Sequence, residues 1–237
     1  GRNAKWKKQT IANTSEQQFK VEFECEFLGS VDTLISVTKL RNLVFEDPLI
    51  NNHKGLLVYE HPVKGNDYII TVDTARGIDH DSSAFIVFDI TTYPYKTVAR
   101  YKNAEIKPML FPNIIHDTAR AYNEAYVLVE INDIGEQVAS IMQYDLEYEN
   151  MLMCAMRGRN GQQVGSGFSG SKTQMGVRMT QAVKKLGCSN LKTLMEDDKI
   201  ITNDYDIIAE LTTFVQKKQS WEAEDGCHDD LSLIHIS

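Results

Sequence analysis

Acidic residues at three places in the chain have the types and positions that divalent-metal chemistry needs. Asp73 ends the apolar stretch YIITV, Glu130 ends YVLV, and Asp229 and Asp230 lie side by side in GCHDDL. A carboxylate that closes a buried strand is costly unless a positive group meets it. Carboxylates that a sheet brings together can bind divalent metal, which phosphodiester cleavage usually requires. The residues therefore favour a metal-dependent nuclease site.

Each of these acids also has a structural interpretation that needs no metal. Asp73 could begin a turn, and Asp229 or Asp230 could cap a helix, which is the commoner use of Asp at such positions. Glu130 fits neither role, because VLV precedes it and an isoleucine follows, so its carboxylate falls within a strand of buried character. The three places taken together favour the metal site.

The elements that must position these acids follow from the apolar pattern. From Asp67 the chain reads as three strands in a meander, a helix with Pro112 in its first turn, and a strand at YVLVEI. A helix from Ile134 to about Tyr144 and a strand at MLMCAM come next. This order predicts an α/β fold in which helices flank a mixed central sheet.

A basic region follows this sheet pattern. Between Arg157 and Lys192 there are seven Lys and Arg residues and no Asp or Glu, in a chain of net charge −8. A glycine- and serine-rich stretch opens the region, and Met175, Met179, Ala182 and Leu186 predict a helix from about residue 172 to 186 with one apolar face. A solvated helix face beside a flexible loop is the alternative to a DNA-contacting surface. The candidate DNA-binding residues are Arg157, Arg159, Lys172, Arg178 and Lys184.

Composition excludes several classes of protein. No apolar run approaches membrane-spanning length, and the start GRNAKWKKQT has no signal-peptide core, so neither membrane insertion nor secretion is expected. The four cysteines are widely separated and lack CxxC spacing, which argues against a zinc site or a disulfide framework.

At the acidic residues the sequence resembles the large terminase subunits of tailed bacteriophages, most closely the T-even-like group. The matching stretches are FKVEFECEFLGS with DTLI, YIITVDTARGIDHDSSAFIVFDI, AYVLVEINDIGEQVA and GCHDDL, in that order over most of the chain. The resemblance implies a ribonuclease H-like nuclease domain that cuts concatemeric double-stranded DNA during packaging. It gives catalytic metal-ligand roles to Asp73, Glu130, Asp229 and Asp230, and places Asp81 at a further acidic position beside the site.

The resemblance also implies a domain organisation and a set of partners. Residues 1–57 resemble the end of an ATPase domain and its linker, and residues 58–237 the nuclease domain. The end LSLIHIS is shorter than the apolar stretch usual in the family, so truncation there is expected. The implied partners are double-stranded DNA, an N-terminal ATPase domain, the portal and the small terminase subunit, and the implied location is the cytoplasm of an infected bacterium.

The expected mechanism is DNA hydrolysis with two divalent cations. Asp73 is best placed to bridge both ions, and hard oxygen ligands favour Mg²⁺ or Mn²⁺ over zinc. Lys172 could neutralise charge that develops on the phosphate. His80 and His228 could assist proton transfer, although a histidine beside two Asp residues is as often an orienting hydrogen-bond partner.

Other classes stay open at this point. A Holliday-junction resolvase or a transposase of the same fold would use similar carboxylates. A nucleotide-binding ATPase is the non-nuclease alternative, because VDTARG at a strand end resembles a phosphate loop. GSGFSGSKT (165–173) also comes close to a phosphate loop, but the inserted Ser171 displaces the lysine, so a loop that contacts DNA phosphates through backbone amides and Lys172 is the favoured interpretation there. A metal-stabilised structural module without activity is the third.

Overall fold

The centre of the molecule is a mixed β-sheet with helices on both faces. The computed structural model describes residues 32–52, 54–75, 82–156, 162–164, 173–217, 220–224 and 231. The strands in this part of the chain are β1 (Ile50–Asn51), β2 (Leu56–Val58), β3 (Tyr68–Asp73), β4 (Ser83–Asp89), β5 (Tyr95–Asn103), β6 (Tyr126–Val129), β7 (Met153–Met156), β8 (Gln162–Val164), β9 (Thr173–Met175), β10 (Ile200–Ile201), β11 (Phe214–Lys217) and β12 (Ser220–Ala223). The helices are α1 (Val37–Asn42), α2 (Phe111–Ala121), α3 (Gly135–Ser140), which continues as a π-helical turn over Ile141–Asp145, α4 (Gln181–Glu196) and α5 (Tyr205–Thr213).

The central sheet is antiparallel except at two strand pairs. Its strand order is β1-β2-β5-β4-β3-β6, and β10 lies parallel to the start of β5. The meander β3-β4-β5 is antiparallel, and α2 carries the chain back so that β6 runs parallel to β3. Two smaller sheets, β8-β7-β9 and β11-β12, complete the described strands. The crossover to β6 is decisive for the site, because parallel neighbours end at the same edge of a sheet.

Two apolar cores cover the two faces of the sheet. Strand β4 shows the division, because Phe85 and Val87 are buried in one core while Ala84 and Ile86 are buried in the other. The first core receives α2 and α3, and the second receives α1, α4 and α5. Such alternation on a strand buried on both sides explains the nearly continuous apolar sequence SAFIVFD.

The helices begin where the sequence provides a suitable first turn. Pro112 lies in the first turn of α2, where its missing N–H has no helical partner to lose. Asp204 caps α5 by accepting a hydrogen bond from the Ile207 N–H at 2.9 Å. The same carboxylate is fully buried and accepts from Arg100 Nε on β5 at 2.9 Å, which ties the helix to the sheet.

The predicted fold class is confirmed, but one predicted helix is wrong in its position. Residues from Thr173 to Met175 form β9, which pairs with β7, and α4 begins only at Gln181, after the cap Thr180. The apolar spacing from Met175 to Leu186 matched a helix by coincidence, and Leu186 is 58% exposed. The face of α4 that is buried carries Cys188, Leu191 and Met195.

The predicted boundary after residue 57 falls within β2, and apolar residues before it belong to the second core. Leu34, Ile35 and Leu40 are all buried there. The division into an ATPase remnant and a nuclease domain stays a prediction. In the described ranges, no helix has both the length and the apolar character needed to cross a membrane.

Candidate metal site

Asp73 and Glu130 are cross-strand neighbours at the ends of two parallel strands. Asp73 is the last residue of β3, and Val72 pairs with Val129, the last residue of β6. The Glu130 N–H donates to the Val72 carbonyl at 2.8 Å, so the ladder continues by one residue and sets Glu130 opposite Asp73. Neighbouring strands lie about 4.8 Å apart. The structure therefore brings together two acids that are 57 positions apart in the sequence.

Both acids belong to the face of the sheet that α4 and α5 cover. The residues before them, Val72 and Val129, are buried in the first core on the opposite face. Successive side chains of a strand point to opposite faces of the sheet, so Asp73 and Glu130 belong to the face opposite Val72 and Val129. Ala84, which pairs with Asp73, is buried in the second core and marks the same face.

Burial and one nearby cation shape the electrostatics of Glu130. Burial raises the pKa of the Glu130 carboxyl above its usual range, and the charge of Lys184 partly offsets this rise. Lys184 lies in the first half of α4, and its Nζ is 5.8 Å from the centroid of the buried Phe214 ring. A residue predicted to contact DNA thus lies beside the candidate metal site.

The backbone around Glu130 is held by the segment that leads to α4. The Val177 N–H donates to the Val129 carbonyl, and the Ile131 N–H donates to the Val177 carbonyl, both at 2.9 Å. Gly176 has φ of 75°, and a Cβ there would lie only 2.2 Å from the Val129 carbonyl oxygen. This strand extension therefore needs a glycine at position 176.

Two further residues fix the geometry on the carboxyl side of Glu130. The Asn132 side chain donates to the Met179 carbonyl at 2.9 Å and accepts from the Met179 N–H at 3.1 Å. Gly135 begins α3, and a Cβ there would approach the Glu130 carbonyl oxygen to 1.8 Å. Glu130 is thereby held between α3 and the segment before α4.

The third acidic place lies just outside the described residues. Among the predicted DNA-binding residues, Lys184 and Arg178 are described, and Arg178 is exposed shortly before α4. Leu231 is also described: it is fully buried in the second core, and its N–H donates to Glu210 Oε2 on α5 at 2.8 Å. The predicted site residues outside the described ranges are Asp229, Asp230, His228, His80, Asp81, Arg157, Arg159 and Lys172.

The donor chemistry of the described acids fits a hard divalent cation. Asp73 and Glu130 place carboxylate oxygens at one sheet edge, and the partial desolvation of Glu130 favours any cation that neutralises it. Within the described ranges there is no set of three or more His, Cys, Asp and Glu side chains that could hold a metal. A complete site therefore needs further ligands, and Asp229 and Asp230 are the nearest candidates along the chain from Leu231.

The sequence interpretation missed the residues that hold these acids. Asn132, Gly135 and Gly176 act through contacts with the backbone near Glu130. Glu210, which the sequence interpretation also did not single out, contacts the backbone of Leu231. Gly135 left a signal, since a glycine within the predicted helix from Ile134 is costly there and can mark a close backbone approach. Glu210 also left one, because it is an acid on the apolar side of DYDIIAELTTFV.

The segment that resembles a phosphate loop does not lead into a helix. A phosphate loop opens directly into a helix, whose first turn carries the Lys and the Ser or Thr. Here the last residue of the match, Thr173, starts strand β9. This agrees with the interpretation that the segment is not a phosphate loop.

Comparison with known proteins bears on the family and the fold. The family model described as "Terminase RNaseH-like domain" matches residues 70–233. The large terminase nuclease of the thermophilic phage G20c with bound magnesium matches with a TM-score of 0.65 at 19% identity, over 87% of this chain and 96% of that one. Its cobalt-bound structure gives 0.65 at 20% identity with the same coverage. The large terminase nuclease domain of Thermus phage P74-26 gives 0.61 at 18% identity, over 84% and 90%.

These matches confirm the ribonuclease H-like terminase nuclease fold. The T-even-like assignment stays a prediction, since the matched structures come from thermophilic phages. The family match begins in β3, ends after Leu231, and includes Asp73, Glu130, Asp229 and Asp230. Because the match extends over more than half of the sequence, the chain belongs to the family of terminase RNaseH-like domains.

Proposed function

We propose that this chain is the nuclease domain of a DNA-packaging terminase and hydrolyses phosphodiester bonds of double-stranded DNA with divalent cations. The observation that carries this proposal is the pairing of Asp73 with Glu130 at the ends of β3 and β6. Membership of the family suggests the class of reaction, and the paired acids suggest where in the fold the metal ions would bind.

The residues of the chain have separate tasks in this reaction. Asp73, Glu130 and the pair Asp229–Asp230 would hold the cations. Two divalent cations held by these residues would activate a water molecule as the nucleophile and stabilise the charge that develops on the phosphate. The burial of Glu130 excludes part of the water around the site, which strengthens every charge interaction there. Lys184 adds a fixed positive charge that opposes the excess of acid.

The metal we propose is Mg²⁺ or Mn²⁺. The nuclease of phage G20c has been solved with magnesium, with cobalt and with zinc, which supports binding of divalent metal as a class. The choice within that class rests on the ligands, because carboxylate oxygens are hard donors and suit Mg²⁺ and Mn²⁺.

The wider setting of the reaction belongs to the same proposal. The substrate would be concatemeric viral DNA, and the cleavage would be endonucleolytic. The reaction would take place in the cytoplasm of an infected bacterium. DNA would contact Arg178, which is exposed, together with Arg157, Arg159 and Lys172. An N-terminal ATPase domain, the portal and the small terminase subunit would be the protein partners.

Cleavage of a supercoiled plasmid tests the proposal. We expect cleavage in Mg²⁺ or Mn²⁺ and none in EDTA. Asp73→Asn, Glu130→Gln and Asp230→Asn should each lower the rate by about 100-fold or more, because loss of a residue that only orients a metal ligand already costs about 10–100-fold. Asp89→Asn is the matched control, because Asp89 also ends a strand but pairs with Tyr68, at the far end of β3 from Asp73. Cleavage that survives all three site substitutions would contradict the proposal.

A second substrate separates this function from its relatives of similar fold. A Holliday-junction resolvase would cut a four-way junction in preference to linear duplex DNA. The proposed terminase nuclease should cut linear duplex at least as fast as the junction. A strong preference for the junction would assign the same acids to a resolvase.

A further inference from the structure

Glu210 is a buried acid whose two carboxylate oxygens contact different parts of the molecule. It lies on α5 and is 8% exposed. Its Oε1 accepts from Lys102 Nζ on β5 at 2.8 Å, and its Oε2 accepts from the Leu231 N–H, also at 2.8 Å. Burial of a carboxylate is unfavourable without such partners. Glu210 therefore links the central sheet to the backbone at Leu231.

Lys102 occupies the same cross-strand row as Asp73. Asp73 pairs with Ala84, and Ala84 pairs with Lys102, so the three residues form one row over β3, β4 and β5. Residues paired in this way share a face of the sheet, and two strand spacings amount to about 10 Å. Lys102, the partner of Glu210 on the sheet, therefore lies at a fixed distance from Asp73.

The other end of the link lies next to the third acidic place. Leu231 is fully buried in the second core, the core that also holds Ala84. Asp230 and Asp229 precede Leu231 by one and two residues in the sequence. Whatever fixes the Leu231 backbone limits where these two carboxylates can reach.

We propose that Glu210, oriented by Lys102, is a positioning residue that holds Asp229 and Asp230 at the metal site through the backbone N–H of Leu231. The inference rests on the proposed function for the metal, whereas the link itself is independent of catalysis. Glu210 contacts neither substrate nor metal in this arrangement. Its proposed contribution is to keep Asp229 and Asp230 within reach of the cations that Asp73 and Glu130 would bind.

The substitutions that test the link act on its two ends. Glu210→Gln keeps the size of the side chain but replaces one acceptor oxygen with a donor, so it cannot serve both partners. Lys102→Met leaves the Glu210 carboxylate without its positively charged partner, whereas Lys102→Arg keeps a positive charge at this position. The matched control is Asp204→Asn. Asp204 is a buried acid at the start of the same helix and is paired with Arg100 of the same strand, and its carboxylate accepts from Tyr59 and the Ile207 N–H.

Amide hydrogen exchange at Leu231 in the full chain without metal is the first measurement. Glu210→Gln and Lys102→Met should speed exchange in the peptide that contains Leu231 by tenfold or more. Lys102→Arg and Asp204→Asn should leave exchange in that peptide near the parent rate once global stability is matched. Unchanged protection in Glu210→Gln would overturn the proposal, whether or not the protein proves to be a nuclease.

Metal affinity measured by calorimetry is the second measurement. Loss of a residue that orients a metal ligand typically costs 10–100-fold in affinity, so we expect Glu210→Gln and Lys102→Met to weaken Mn²⁺ binding by at least 10-fold. Asp204→Asn should lose stability but keep the parent affinity. If Glu210→Gln binds Mn²⁺ as tightly as the parent while Asp73→Asn does not, the proposed function stands and the positioning role fails. Mn²⁺ binding that is equally strong in the parent and in Asp73→Asn would instead contradict the proposed function.

Discussion

A carboxylate that is costly in the metal-free protein is the residue-scale signature of this site. Glu130 sits at the end of a buried strand, and burial raises the pKa of its carboxyl although Lys184 opposes the rise. Functional sites commonly contain such an unfavourable buried charge. A cation that binds there relieves the unfavourable charge, so its binding is stronger. The same property makes Glu130 a liability for folding when no metal is present.

Glu130→Gln should therefore stabilise the metal-free protein at neutral pH. The pKa of Glu130 in the folded state lies above its ordinary value of 4.5, so the ionised form destabilises the fold at every pH above the folded-state value. This cost disappears as the pH falls below the unfolded value. Urea unfolding in EDTA at several pH values should show a gain for Glu130→Gln that shrinks toward pH 4.5.

An exposed glutamate provides the control for this titration. Glu136 lies in the first turn of α3, six residues further along the chain, and is exposed. Glu136→Gln should show no gain in stability at neutral pH, because no burial penalty is removed. A loss of stability in Glu130→Gln at all pH values would contradict the electrostatic argument.

At the scale of elements, backbone contacts determine where the acids lie. The parallel ladder between β3 and β6 aligns Asp73 with Glu130, and α3 approaches so closely that position 135 has no room for a side chain. Misplacement of a catalytic group by about 1 Å can lower a rate by about 100-fold. The start of α3 is therefore part of the positioning of Glu130.

Gly135→Ala should damage activity more than stability. The new Cβ would lie 1.8 Å from the Glu130 carbonyl oxygen, so the backbone of one of the two residues must shift. Overpacking of this kind costs about 1–3 kcal/mol in free energy of unfolding. Plasmid cleavage should fall by about 100-fold in protein that is still folded by circular dichroism.

Gly65→Ala separates this effect from the general cost of losing a glycine. Gly65 has φ of 88°, and a Cβ at this position would have no other atom within 4 Å, so alanine there is strained without touching the site. It should lose stability by about 1 kcal/mol and keep its cleavage rate. Equal losses of activity in both variants would remove the case for Gly135.

Local patterns predicted the elements and failed where distant residues decide. The strand meander, the crossover helix and the pairing of two strand-end acids follow from apolar periodicity and strand order. The expected helix over residues 172–186 was wrong, because Thr173–Met175 pairs with β7, a partner about 20 residues earlier. Glu210 was overlooked for a similar reason, since the sequence around it does not show that Lys102 and Leu231 are its partners.

At the scale of the whole molecule, the second core joins elements that cover the face of the sheet on which the site lies. Helices α4 and α5, strand β4 and Leu231 pack together on the face that Asp73 and Glu130 share. A cation bound there would connect elements that are far apart in the sequence. Its binding should therefore raise the free energy of unfolding of the whole protein. The free energy of that binding is available only to the folded protein.

Mg²⁺ or Mn²⁺ should therefore raise the melting temperature through the acids of the site. At 100 times the dissociation constant, a single bound ion adds about 2.7 kcal/mol to the free energy of unfolding. In a protein of this size that corresponds to a rise of about 5–11 °C in a thermal scan. Asp73→Asn and Glu130→Gln should lose the rise, whereas Asp89→Asn should keep it. Glu130→Gln then gives the sharpest contrast, because it should be more stable than the parent in EDTA and gain less than the parent from metal. A variant that keeps the full rise without Asp73 would mean that the metal binds elsewhere, and the strand-end pair would lose its role as the metal site.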